Sequence, residues 1–115
     1  GARPGWDICM KMIQSIIRPE KEKEVVTSLE KAGIHAFTRL NVFGRGRQKG
    51  IQVGPVRYEE MAKVWLWVVI QDSMMDRAIE TIKIAARTGN PGDGKIFVSS
   101  LAEVRTLRTR SKDQE

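Results

Sequence analysis

The chain has 115 residues, 41% hydrophobic and 30% charged, with a formal net charge of +6. That balance suits one compact domain and excludes a chain too polar to build a core. A single cysteine, Cys9, excludes an intramolecular disulfide framework, and the longest apolar run, Val64 to Ile70, is far too short for a membrane-spanning helix.

A domain this small buries a modest fraction of its surface, so assembly into an oligomer would add stability. The basic excess admits phosphates, nucleic acid or an acidic protein surface as partners. On charge alone a solvated, mildly basic surface is the preferred reading, because the cations are spread along the whole chain. The lone cysteine fits residence in the cytoplasm. Residues 1–9 (GARPGWDIC) follow no periodicity and are read as an extension; a start at Met10 would make them a leader, an expression scar or a mis-set start codon.

Met10 to Ile17 (MKMIQSII) reads as a largely buried strand. Arg18-Pro19 ends it, since proline cannot donate to a ladder but suits a first helical turn. Val25, Val26, Leu29 and Ala32 are spaced as one helix face over Glu20 to Ala32, and Gly33 is a helix stop. The alternation from Ile34 to Phe43 predicts a second strand. Gly44 to Glu60, rich in glycine and arginine, predicts a long flexible loop, of the kind that carries function.

Met61 to Ile70 is the strongest strand signal, with Trp65, Trp67 and Val69 on one face and Val64, Leu66, Val68 and Ile70 on the other. Asp72 is a candidate N-cap. Met75, Ala78, Ile79, Ile82 and Ala86 then keep helical spacing to Arg87. Thr88 to Gly92 breaks that helix, Lys95 to Ser99 is a short strand, and Val104, Thr106 and Arg108 suggest one more extended piece before a polar tail, 111–115. The order β-α-β-loop-β-α-β fits an α+β, ferredoxin-like βαββαβ sandwich: a four-stranded antiparallel sheet with two helices on one face. That architecture alone fixes no function.

Four places could carry chemistry. Gly44 to Gly50 (GRGRQKG) offers backbone amides, the cations Arg47 and Lys49, and Gln48 as a neutral oxygen ligand for a hard cation. On composition a mobile basic hairpin tip is the preferred reading, and the segment is no Walker loop. In Thr88 to Val98, Gly92 and Gly94 can take positive φ and Lys95 can reach a phosphate, though Asp-Gly is also a common turn dipeptide. Lys63, where the long loop returns to the strand, could bind a carboxylate or simply snorkel. Trp65 and Trp67 could stack on a base, but a core or oligomer interface is the commoner use. His35 has no evident partner and reads as structural. No metal cluster and no acid–base pair emerges, so no enzymatic role is assigned.

The segment Thr88-x-x-x-Gly92-Asp93-Gly94-Lys95-Ile96-Phe97-Val98-x-x-Leu101 resembles the C-terminal signature of the nitrogen regulatory PII family. Gly44-x-Gly46-Arg47-Gln48-Lys49-Gly50 is similar to the start of that family's T-loop, Ile16-Ile17-Arg18-Pro19 to the end of its first strand, and Arg108-Thr109 to its closing arginine segment. The likeness runs over a PII domain at 10–110, with the T-loop at about 44–60 and the nucleotide loop at 88–95.

The resemblance implies a non-catalytic sensor of ATP or ADP, Mg2+ and 2-oxoglutarate, built as a homotrimer with sites between subunits. It implies that Gly44, Gly46, Gly92, Asp93 and Gly94 border the nucleotide, and that Arg47 and Lys95 face its phosphates. Thr38 and Val69 would line the adenine side, and Arg108 would reach the phosphates of a neighbouring subunit's nucleotide. Gln48 would ligate the metal, and Gln48, Lys49 and Lys63 would hold 2-oxoglutarate.

Three departures stand out. Thr106 occupies a position where the family pattern has arginine, Arg45 one that is usually apolar, and Tyr58 lies outside the sequence context of the uridylylated tyrosine. The short loop, with Val42 to Gly46, Gln52-Val53-Gly54 and Thr88-Gly89-Asn90, resembles the NifI subgroup that accompanies nitrogenase genes. This implies regulation of nitrogen fixation by protein contact, with a PII paralogue in a mixed trimer or hexamer and nitrogenase as the target. A general regulator of an ammonium transporter or of glutamine synthetase is the alternative. Transcriptional regulation is a family association; direct binding to nucleic acid or to a membrane is not expected. A nucleic-acid-binding ferredoxin-like module stays remote, because the aromatic RNA-binding motif is missing.

Overall fold

The computed structural model describes residues 9–47 and 58–108, with backbone alone for Arg47, Tyr58 and Glu59. Residues 1–8 of the extension 1–9, the loop residues 48–57 with Gln48, Lys49 and Gly50, and residues 109–115 with the polar tail lie outside the described residues. The elements are β1 (Met10–Ile17), α1 (Glu22–Lys31), β2 (Thr38–Arg47), β3 (Tyr58–Gln71), α2 (Met75–Ala86) and β4 (Gly94–Leu101), with a 3-10 turn before each helix. The sheet order is β2-β3-β1-β4, and every neighbouring pair is antiparallel.

Period-two alternation decides which side of the sheet is buried. Ile13, Ser15 and Ile17 of β1 and Val64, Leu66, Val68 and Ile70 of β3 are buried. They pack with Val25 and Leu29 of α1 and Ala78, Ile82, Ala85 and Ala86 of α2 in one core. The Ser15 hydroxyl meets its cost of burial by donating to the Leu66 carbonyl, 3.4 Å away. The opposite, helix-free face carries Trp65, Trp67 and Val69, all partly exposed, with Leu40 50% and Phe97 48% exposed.

Several boundaries differ from expectation, each for a local reason. The second strand starts at Thr38, not Ile34. Ile34 belongs instead to the helix stop: Gly33, at φ +86°, lets the Ile34 N–H donate to Leu29 O (2.8 Å) and its own N–H to Glu30 O (3.0 Å). This is a Schellman closure, and it buries Ile34 against Leu29. His35 is exposed in the connector that follows.

The segment expected as loop from Gly44 to Glu60 is strand at both ends: Gly44 pairs with Met61, Arg45 with Glu60 and Arg47 with Tyr58. Asp72 is not a side-chain cap; it opens a 3-10 turn, and its carboxylate lies 3.6 Å from Lys11 Nζ. The extended piece expected around Val104 to Arg108 reduces to a single bridge residue, Arg105, followed by a turn.

Candidate functional site

The turn between α2 and β4 is organised around one carboxylate. Asp93 accepts from the Thr88 N–H (2.9 Å) and the Gly89 N–H (2.8 Å), and from the Thr88 hydroxyl. The Thr88 oxygen in turn accepts from the Asn90 N–H at 3.1 Å. Arg18, just past β1, donates from Nε to Asp93 at 3.1 Å and from Nη2 to the Pro91 carbonyl at 2.7 Å. The turn is therefore braced from within and from the end of the neighbouring strand.

These partners hold the Asp93 carboxyl well below the usual carboxylate range. The Thr88 hydroxyl contributes most, burial opposes it, and the Gly89 and Thr88 amides and Arg18 add to the lowering. A depressed folded value means that this contribution to stability is fully present above the unfolded carboxylate pKa of about 4 and is lost as pH falls through the lower folded value. The expected result is an Asp93 carboxyl 13C titration with its midpoint below that of the exposed acids. A midpoint near 4 would show that the turn is not held this way.

Lys63 connects this turn to the hairpin. It sits inside β3 opposite Val42, not at a loop junction, and it is only 9% exposed. Its ammonium donates to the Gly92 carbonyl, so the snorkelling alternative is excluded. A methyl built on Gly92 would lie 3.4 Å from Arg18 Nη2 and 3.8 Å from Lys63 Nζ, and one on Gly44 would lie 3.6 Å from Lys63 Cγ. Gly44, Lys63, Arg18 and Gly92 thus form one group, where the base of the hairpin meets the turn. Lysine has three N–H donors, so the Gly92 carbonyl leaves capacity on the same ammonium for an anion.

The other candidates are distributed unevenly. Lys95 is exposed on β4 opposite Ile16. Gly46 pairs with Glu59 further out along the hairpin, and Arg47 ends β2 opposite Tyr58. Gln48 and Lys49 are outside the described residues. Thr38 pairs with Trp67, and both Thr38 and Val69 lie toward the far end of the helix-free face, roughly 20 Å along the strands from Gly44 and Lys63. Arg108 lies in the exposed turn after Leu101, past the opposite end of β4 from Lys95.

Gly94 takes a positive φ of 113°, as expected for this turn. A Cβ there would lie 1.7 Å from the Ile16 carbonyl oxygen, so glycine is required by the close approach of two strands. Beside the turn, between α2 and β4, a groove of about 390 Å³ is lined by Ile82, Ala86, Arg87, Asp93 and Ile96 among others. Among the described residues no group of three or more His, Cys, Asp or Glu side chains could hold a metal ion.

Residues 10–111 match the nitrogen regulatory protein P-II family. The chain belongs to that family. It is 49% identical over 100 residues to nitrogen fixation nifHD1 region GlnB-like protein 1 of Methanosarcina barkeri, covering 87% of this chain and 95% of that one. It is 50% identical over 103 residues to nitrogen fixation nifHD region GlnB-like protein 1 of Methanobacterium ivanovii, covering 90% and 98%.

These relatives place this P-II protein in the NifI-like, nif-region subgroup. Among solved structures it resembles Arabidopsis thaliana PII bound to citrate, with TM-score 0.76 and 33% identity over 93% of this chain and 91% of that one. It also resembles the Bacillus subtilis GlnK–ATP complex, with TM-score 0.78 and 29% identity over 90% and 94%. Arg18 carries no local sequence signal for this role beyond its place at the strand end, because its partners lie 73 and 75 positions away.

Proposed function

We propose that this P-II protein is a non-catalytic sensor of ATP or ADP, Mg2+ and 2-oxoglutarate that regulates nitrogen fixation by docking its hairpin loop on a target, with nitrogenase the favoured one. The observation that carries the reading is the convergence of Gly44, Lys63 and Gly92, which brings the two glycine-rich segments to one cation. Two anionic ligands sharing one metal ion, within a rim of lysine and arginine, form a coherent electrostatic site. The ATP and citrate named for the two solved relatives agree with anionic ligands of these kinds. Ligand occupancy then selects among conformations of the loop.

The assembly is a homotrimer, or a mixed trimer or hexamer with a paralogue, in the cytoplasm. The apolar helix-free face supports an assembly of this kind, because Leu40, Phe97, Trp65 and Trp67 are otherwise left in water. Thr38, Val69 and Arg108 then come from a neighbouring subunit to complete a nucleotide site whose phosphate end is Gly46, Arg47, Gly92 and Lys95. Gln48 ligates the metal, and Gln48, Lys49 and Lys63 hold the dicarboxylate.

Calorimetry tests this directly. ATP is expected to bind in the micromolar range and to tighten when Mg2+ and 2-oxoglutarate are present together; no nucleotide binding under any condition would reject the reading. Gln48→Ala is expected to lose the 2-oxoglutarate coupling while retaining ADP binding, and equal loss of both would remove Gln48 as the metal ligand. Lys63→Ala is expected to weaken 2-oxoglutarate specifically, a role that unchanged 2-oxoglutarate affinity would dismiss.

A further inference from the structure

Arg18 makes the longest-range polar connection of the Gly92 turn. Its side chain is 17% exposed and that of Asp93 24%, so the ion pair is partly shielded from solvent. The two acceptors of Arg18, the Asp93 carboxylate and the Pro91 carbonyl, flank Gly92 on either side. Lys63 holds the Gly92 carbonyl between them. The planar fork of the guanidinium spans two acceptors at once, which a lysine, as a point charge on a flexible stem, does poorly. Asp93 carries the restraint onward to the Thr88 and Gly89 amides.

We propose that Arg18 is a positioning residue for this turn: through Asp93 and the Pro91 carbonyl it sets the orientation of the Gly92 peptide before a polyphosphate arrives. This deepens the nucleotide-sensing reading and rests on it. Arg18 acts through the turn and need not touch the ligand. A pair serving stability alone would change unfolding without changing the turn selectively.

The test uses the full chain with Arg18→Gln, Arg18→Lys, Asp93→Asn and the Arg18→Gln/Asp93→Asn double variant. The readouts are ATP affinity by calorimetry with Mg2+ and amide hydrogen exchange at Thr88 and Gly89. Arg18→Gln is expected to weaken ATP about ten-fold, the scale of one charged hydrogen bond. It should speed exchange at Thr88 and Gly89 and leave exchange in β3 unchanged. The double variant should bind no more weakly than the weaker single variant, because both act through one connection, and Arg18→Lys should recover part of the affinity.

Wild-type ATP affinity in Arg18→Gln would overturn the proposal, as would unaltered exchange at both amides. If the wild-type chain binds no ATP, the sensing reading fails by itself, and exchange at Thr88 and Gly89 still decides whether Arg18 sets the turn. Should Arg18→Gln fail to fold, Arg18→Lys carries the same two readouts.

Discussion

Gly94→Ala is expected to cost about 3 kcal/mol or more of folding stability, the range of severe backbone conflicts. The added Cβ would lie 1.7 Å from the carbonyl oxygen of Ile16 and 2.8 Å from its carbon. Both atoms belong to the backbone of β1, which pairs on its other side with β3, so no side-chain rotation relieves the contact. The φ of +113° adds strain for any residue with a side chain. Urea unfolding of the full chain measures the loss. Gly46→Ala is the control, since a Cβ there meets nothing within 4 Å. A Gly94→Ala midpoint equal to that of the control would mean that β4 can start elsewhere without cost.

Leu66→Ala and Trp65→Glu, adjacent on β3, are expected to fail in different ways. Leu66 is 0% exposed within the core, and its truncation is expected to cost about 3 kcal/mol through lost burial and the cavity left behind. Trp65 faces the helix-free side; its ring centroid is 5.3 Å from that of Trp67, and its N–H donates to Gln14 Oε1 at 3.1 Å. A carboxylate there leaves the helix-side core intact but places charge on the apolar face, so in the proposed trimer Trp65→Glu is expected to give a folded chain that no longer assembles. Sedimentation separates the two outcomes. A Trp65→Glu protein that sediments like the wild-type chain would show that this face is not a subunit contact.

What the sequence made legible follows from the range of the forces involved. The helices and β3 could be read because amphipathic spacing is local: Leu29, Ile82 and Leu66 are buried as their periodicity requires. The start of β2 could not, because Ile34 has a strand-like side chain while its amide is already committed to Leu29 O. The composition of Gly44 to Glu60 suggested a loop, yet glycine and arginine do not forbid an antiparallel ladder once β3 supplies a partner.

The candidate site was legible as two separate segments. Their meeting was not, because it depends on Lys63 turning to Gly92 and on Arg18 reaching Asp93, contacts set by strand order. Asp93, expected at the nucleotide, has its carboxylate engaged in holding the turn itself.

The strand order also has a consequence for biosynthesis. Among the described strands β1 leaves the ribosome before both of its sheet neighbours, β3 and β4, which lie 41 or more positions further along. Such long sequence separations slow folding, since a large loop must close before any pairing compensates. The Arg18–Asp93 contact spans 75 positions, so the turn around Gly92 is braced only after that length of chain has been made. Until then one edge of β1 stays unsealed, and a nascent chain stalled before Gly94 exposes that edge to chaperones.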